Sequence, residues 1–155
     1  TEMDDVLFKA MKRKVVSRGN PSEFAEDALQ RLPEVLREND PDLMVLAYGA
    51  MDVWKNTDRA KLKANLCAMI DLAHKQDTQV LMLSLPDLNK VLLRPDPLGE
   101  EVAREKNVPI DTEIVSSVLK KPSERVFRYM VNDKGLKAIA EAVRVLCVKC
   151  GALAQ

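Results

Sequence analysis

Few side chains in this sequence could carry covalent or acid–base chemistry. The chain has one histidine, His74, and no other imidazole that could serve as a base. Acyl transfer by a serine or cysteine nucleophile usually needs such a neighbouring base, most often histidine. His74 falls inside the helical pattern LCAMIDLAHKQ, at the edge of its apolar stripe. That position favours a structural role over a catalytic one.

The second candidate is the pair Cys147 and Cys150, which has the Cys-x-x-Cys spacing of metal-binding and thiol-exchange sites. A structural zinc site needs four ligands, and no second pair of this kind exists in the sequence. Redox pairs usually begin a helix, whereas this pair ends a helical pattern before Gly151. We therefore interpret the spacing as incidental and predict no metal and no cofactor.

Three aspartates follow apolar runs or turns and could in principle supply oxygen ligands to a hard cation: Asp52, Asp87 and Asp111. Aspartate at such positions more often caps a helix or turns the chain through its own side chain. The capping interpretation is favoured for all three.

The overall composition indicates one globular domain over residues 1–155, with 46% hydrophobic and 31% charged residues. Lysine plus arginine and aspartate plus glutamate both number 24, so the formal net charge is zero. No global field therefore favours nucleic acid or an anionic membrane, and the basic segment KAMKRK is interpreted as a solvated helix face. The apolar runs are too short to span a bilayer. An odd number of cysteines without a secretion signal predicts reduced thiols and a cytoplasmic location.

Continuous apolar runs predict buried parallel strands at residues 15–17, 43–49 and 79–86, with a weaker strand near 108–114. Amphipathic helices are predicted at 21–39, 58–76 and 133–148, and residues 87–109 as a loop followed by a helix. Strands that alternate with helices indicate an α/β fold. In such sheets ligands bind beyond the carboxyl ends of the strands. That rule gathers four loops around one crevice: GNPSE, GAMDVW, PDLNKV and RVFRYMVNDKG.

In order and spacing these loops resemble those of the SGNH, or GDSL-type, hydrolases. GAMD stands where that family has its Gly-x-Asn-Asp loop, and RYMVNDKG resembles the segment after its Asp-x-x-His motif. The resemblance implies a flavodoxin-like three-layer α/β/α sandwich with a mostly parallel sheet. The chain opens with TEM, which resembles the residues just after the Gly-Asp-Ser-Leu motif. The family's first strand and its nucleophile would then be missing from this sequence or supplied elsewhere.

The resemblance also implies which positions would be catalytic. Ser22 stands near the family's oxyanion-binding glycine, Met51 at its asparagine, Phe127 at its aspartate and Met130 at its histidine. A thioether or phenyl group cannot donate to an oxyanion or act as a base. The positions that do match the family would shape loops rather than react: Gly49, Asp52, Asn132 and Gly135.

Large apolar side chains therefore occupy or flank the crevice at five positions: Met51, Trp54, Phe127, Tyr129 and Met130. They could pack together as the walls of a disused pocket, or form an interaction surface, since such residues favour interface centres. Natural degeneration and deliberate redesign would both give this pattern. The favoured hypothesis is an inactive SGNH-like domain that binds a protein partner or associates with itself through these loops. The alternative is an ester hydrolase whose nucleophile strand comes from elsewhere.

Without the first strand, the neighbours on either side would leave backbone groups unpaired, which is costly. We expect internal closure or a rearrangement of the sheet; internal closure would pair residues 15–17 directly with residues 43–49. Two other solutions are the N-terminal segment DDVLFKAM filling the gap and a strand donated by a second chain.

Overall fold

The computed structural model describes residues 13–127 and 130–151. In chain order the helices and strands are α1 (Ala25–Asn39), β1 (Leu43–Leu46), α2 (Ala50–Trp54), α3 (Arg59–Lys75), β2 (Gln79–Leu83), α4 (Pro97–Lys106), β3 (Ile110–Asp111), α5 (Ile114–Lys120), a 3-10 turn (Pro122–Glu124), β4 (Arg125–Phe127), β5 (Met130–Val131) and α6 (Asp133–Lys149). None of the described helices is long and apolar enough to cross a membrane.

The central sheet is parallel and has the order β1-β2-β3. Side chains of β2 alternate between two cores because successive residues of a strand point to opposite faces. Val80 and Met82 pack with α1, α3 and α4, whereas Leu81 and Leu83 pack with residues of α5 and α6. Helices therefore cover both faces, which is why β2 is continuously apolar. The predicted three-layer α/β/α sandwich is confirmed.

The predicted strand at residues 15–17 is wrong. These residues form no strand and do not pair with β1, so β1 has a partner on one side only among the described residues. Val16 and Val45 remain 37% and 39% exposed. The apolar side chains of so short a run favour a strand only where a neighbour offers backbone partners. Internal closure by residues 15–17 is therefore also wrong, and the alternative segment DDVLFKAM lies outside the described residues.

The other predicted elements are confirmed, with shifted ends. The helix predicted from residue 21 begins at Ala25, because residues 21–22 form a turn before it. The strands predicted at 43–49 and 79–86 end at Leu46 and Leu83, and the weak fourth strand contracts to β3. Residues 87–109 form a loop followed by α4, as predicted.

Helix α2 was not predicted, because its residues were assigned to a loop, and neither were α5 and the β4–β5 hairpin. Helix α5 has the sequence IVSSVLK, whose β-branched residues do not favour a helix by propensity. The β4–β5 hairpin lies in the loop before α6 and packs against α5 and α6.

Candidate functional site at the carboxyl edge of the sheet

Asp52 fixes the junction between α1 and α2. Its side chain is 1% exposed, and its Oδ2 accepts a hydrogen bond of 2.9 Å from the backbone N–H of Ala25, the first residue of α1. The residue preceding α1 is Phe24, which has no side chain able to cap the helix. Asp52 therefore supplies the cap from a distant part of the chain. Its predicted capping role is confirmed.

Gly49 makes the turn between β1 and α2. Its backbone has φ of 114°, a conformation that favours glycine, and the residue is buried. Met51 and Trp54 follow on the single short helix α2. Met51 is half-buried, whereas Trp54 is exposed and carries the Lys55 ammonium 4.6 Å from its ring centroid.

A polar cluster that the sequence did not reveal holds residues 18–23 against the end of β1. The Tyr48 hydroxyl donates to Glu23 Oε2 at 2.6 Å and accepts from Arg31 Nη2 at 3.0 Å and from the Asn20 N–H at 3.1 Å. Arg31 also donates to both carboxylate oxygens of Glu23, at 2.7 and 2.6 Å. These groups come from three separate segments and belong to no local motif, so sequence patterns could not find them.

The charges in this cluster support one another. Hydrogen bonds from the Arg31 guanidinium lower the pKa of Glu23, burial raises it, and the hydrogen bond from the Tyr48 hydroxyl lowers it again. The net result is a pKa below the ordinary value. Burial and the neighbouring Glu23 carboxylate raise the pKa of Tyr48. The cluster therefore holds an ionised carboxylate and a neutral phenol near neutral pH, and neither group is poised to exchange a proton there.

Ser22 does not reach into this cluster. It is exposed, and its backbone N–H donates to Asn20 Oδ1 at 3.1 Å in a local turn. Ser22 thus belongs to the turn that precedes α1.

Phe127 and Met130 lie opposite each other at the end of the β4–β5 hairpin. They are 69% and 57% exposed, and the neighbouring Val126 is 58% exposed. Of the two interpretations of these residues, the packed walls of a disused pocket are therefore not formed by Phe127 and Met130. Tyr129, the remaining aromatic residue predicted here, lies outside the described residues.

The base of this hairpin is tightly fixed. Asn132 Oδ1 accepts from the Gly135 N–H at 3.0 Å and caps α6, while Asn132 Nδ2 donates to the Ser123 carbonyl at 2.9 Å. A Cβ at Gly135 would lie 2.2 Å from the Glu124 carbonyl oxygen. Only glycine fits there, and both residues shape the loop.

The remaining polar candidates also have structural contacts. Asp87 Oδ1 accepts from the Asn89 N–H at 2.9 Å, and Asp111 Oδ1 accepts from the N–H groups of Glu113 and Ile114 at 2.9 and 2.8 Å. Their predicted role as turn and cap residues is confirmed. Within residues 13–127 and 130–151, no group of three or more potential ligands could hold a metal ion.

The histidine and the cysteine pair lie away from the crevice. His74 is exposed in the last turn of α3, which leads into the amino end of β2, the edge of the sheet opposite the candidate site. Cys147 is buried against the sheet and Cys150 is exposed just after α6, with no disulfide between them.

No family model and no curated protein sequence matches the chain. Several solved structures, however, match the fold of this chain. A lipolytic protein assigned to the G-D-S-L family, from Desulfitobacterium hafniense DCB-2, superposes with a TM-score of 0.76 at 18% identity, over 93% of this chain and 87% of that one. A GDSL-like lipase from Bacteroides thetaiotaomicron gives 0.72 at 16% identity, over 96% and 81%. The acetyl xylan esterase AlAXEase gives 0.71 at 18% identity, over 91% and 88%.

These similarities define the fold. At identities below 20%, superposition over most of both chains shows that this protein has the fold of the SGNH hydrolases. The fold expected from the resemblance of the loops is therefore confirmed. Activity does not follow from the fold, because one fold can host different functions.

Proposed function

We propose that this domain is a non-hydrolytic binding module on an SGNH-hydrolase fold, and that a protein partner contacts the hairpin face, defined here as Val126, Phe127 and Met130. The observation that carries the proposal is the exposure of these side chains. Each of these three large apolar side chains exposes more than half of its surface on one short hairpin. Binding of a partner that covers them is favourable, because it removes apolar surface from water.

The chemistry at the crevice agrees with this proposal. By resemblance, Met51, Phe127 and Met130 stand where the family has its amide, carboxylate and imidazole, and none of them can polarise a carbonyl or accept a proton. The one imidazole of the sequence, on His74, lies at the opposite edge of the sheet.

A site-specific crosslinker tests the binding role. Benzoylphenylalanine at position 127 should capture one partner, or a second copy of the chain, at a defined mass. The same group at position 137, an exposed lysine on α6, is the control and should capture neither. Met130→Ser should reduce the yield from position 127, because it removes a neighbouring part of the contact. Equal yields from both positions would contradict the proposal.

The alternative is an ester hydrolase, favoured by the fact that the structural neighbours named above are lipases and esterases. Turnover of a short-chain p-nitrophenyl ester distinguishes the two functions. Activity that copurifies with the chain and is abolished by a serine-directed phosphonate would establish hydrolysis and overturn the non-hydrolytic proposal.

Restoring the family residues tests the same point from the other side. The triple variant Met51→Asn, Phe127→Asp and Met130→His supplies the missing amide, carboxylate and imidazole. We expect no ester hydrolysis above that of wild type, because the three restored groups do not themselves supply an activated nucleophile. A large gain in phosphonate-sensitive turnover would show that another serine can serve as nucleophile.

A further inference from the structure

A second site lies beyond the carboxyl ends of β2 and β3, in a cleft of about 420 Å³ between the start of α4 and helix α5. This volume is in the range of small-molecule pockets. Ser84, which follows β2, and Thr112, which follows β3, contribute to its lining. Neither the proposed function nor the hairpin face involves this cleft.

Four charged side chains line the cleft, two of each sign: Arg94, Lys120, Glu100 and Glu113. None of them takes part in the ion pairs or side-chain hydrogen bonds of the described residues. Some other described lysines and arginines, by contrast, pair with carboxylates at 2.6–3.5 Å. These four charged side chains therefore have no ionic partner among the described residues, at a place where there is space for a ligand.

The fifth charged residue of the lining, Asp96, is already satisfied. Its carboxylate accepts from Arg59 at 2.8 and 3.1 Å and from the N–H of Leu98 at 2.9 Å. Burial alone would raise the pKa of Asp96, but these donors outweigh it and leave the pKa below its ordinary value. Asp96 therefore stays ionised and committed to Arg59, and it does not neutralise Arg94.

A buried hydroxyl in the lining also lacks a partner. Ser84 is 2% exposed, and its Oγ makes no hydrogen bond within the described part of the chain. It lies against the first turn of α4, where a Cβ at Gly99 would come within 3.0 Å of Ser84 Oγ. Buried hydroxyls are normally hydrogen-bonded, and in the lining of this cleft Ser84 Oγ has no partner among the described residues.

We propose that this cleft binds a small zwitterion, such as a free α-amino acid, whose carboxylate is held by Arg94 and Lys120 and whose ammonium is held by Glu100 and Glu113. A simple anion would meet the two glutamates, and a simple cation would meet the two basic residues. A molecule that carries both charges satisfies both pairs.

Amide NMR titration of the labelled chain tests this with glycine as the zwitterion, and with acetate and methylammonium as its two halves. Glycine should shift the Ser84, Gly99 and Thr112 signals saturably, with a Kd on the order of millimolar, and each half should bind at least about tenfold more weakly. Failure of glycine to saturate these shifts would overturn the proposal. Acetate that binds as well as glycine would do so too, because it would indicate a plain anion site.

Two variants that should change acetate binding in opposite directions distinguish an effect on the cleft from a loss of folding. Glu100→Gln should weaken glycine binding and strengthen acetate binding, because it removes a carboxylate from the lining. Lys120→Gln should weaken both glycine and acetate. The control is Arg104→Gln, which changes an exposed charge on the same helix outside the cleft and should alter neither affinity. If Glu100→Gln and Arg104→Gln behave alike, the charges of the cleft do not select the ligand and the assignment is wrong.

Discussion

The junction of α1 with α2 and the β4–β5 hairpin lie in loops that resemble two motifs of the same family, yet they differ in how their residues are used. At the junction, Asp52 is buried and caps a helix, and Tyr48 closes a charged cluster with Glu23 and Arg31. On the hairpin, Phe127 and Met130 are exposed. The junction uses polar side chains to hold the backbone, whereas the hairpin leaves apolar side chains without cover among the described residues. Neighbouring loops at one edge of the sheet can therefore differ in whether their side chains stabilise the fold or remain free for contacts.

The largest expected effect comes from Gly135, at the fixed base of the exposed hairpin. Gly135→Ala places a Cβ 2.2 Å from the Glu124 carbonyl oxygen and 2.7 Å from Val118 Cγ1, so backbone must move. We expect a loss of about 3 kcal/mol in the free energy of unfolding, measured by urea denaturation. Gly19→Ala is the control, because no atom lies within 4 Å of its added Cβ. A Gly135→Ala variant as stable as this control would mean that the base of the hairpin is loosely held.

The next effect tests the buried cap at the junction. Asp52→Ala leaves the Ala25 N–H without its acceptor in a buried site, and we expect a loss of about 2 kcal/mol in unfolding free energy. Asp58→Ala removes an exposed cap, from the Lys61 N–H, and should cost about 1 kcal/mol or less. Equal losses of unfolding free energy for Asp52→Ala and Asp58→Ala would contradict the expectation that the buried cap stabilises the fold more than the exposed one.

A smaller effect is expected from the charged cluster. Tyr48→Phe removes one hydroxyl from Glu23 and Arg31 and should cost about 1 kcal/mol in unfolding free energy, measured by urea denaturation.

The same cluster predicts a pH dependence. Because the folded-state pKa of Glu23 is lowered, its contribution to the stability of the fold is present above its ordinary pKa of 4.5 and is lost as the pH falls through the folded-state pKa. Urea denaturation of wild type and Glu23→Gln should therefore show a difference near neutral pH that shrinks in acid. A difference that grows in acid would assign the stability to another group.

The smallest effect is expected at the end of the hairpin. The double variant Phe127→Ser with Met130→Ser replaces two exposed apolar side chains and should change the unfolding free energy by no more than about 0.5 kcal/mol. Thermal unfolding of the purified domain measures this. A loss of several kcal/mol in the unfolding free energy would show that these side chains are covered in solution. The proposal of a binding surface at the hairpin face would then lose its basis.

The elements that could be predicted are those whose pattern is long and local. Strand β2 and helices α3 and α6 follow from a continuous apolar run and from regular stripes, and all three were placed within a few residues. Residues 15–17 were misassigned because strand formation depends on a partner that three residues cannot specify. Helix α5 was missed because packing against α6 outweighs the weak helical preference of its β-branched residues.

The candidate site was predictable only in part. Loop order placed Gly49, Asp52, Asn132 and Gly135 in structural roles, and each has the contacts that such a role requires. The Tyr48 cluster and the charged cleft join segments that are far apart in the chain. Such sites depend on tertiary packing, and no spacing rule within a single segment reports them.

The one-sided pairing of β1 has a consequence for hydrogen exchange. The Gln79 N–H donates to the Asp42 carbonyl at 2.9 Å, which sets the phase of the parallel ladder: the Met44 and Leu46 N–H groups point to β2, and the Val45 N–H points away. If that outer edge is open in solution, the Val45 amide should exchange at least about tenfold faster than its two neighbours. Equal protection of all three amides would reveal that another backbone covers this edge, and the Val45 signal would then report when that backbone arrives or leaves.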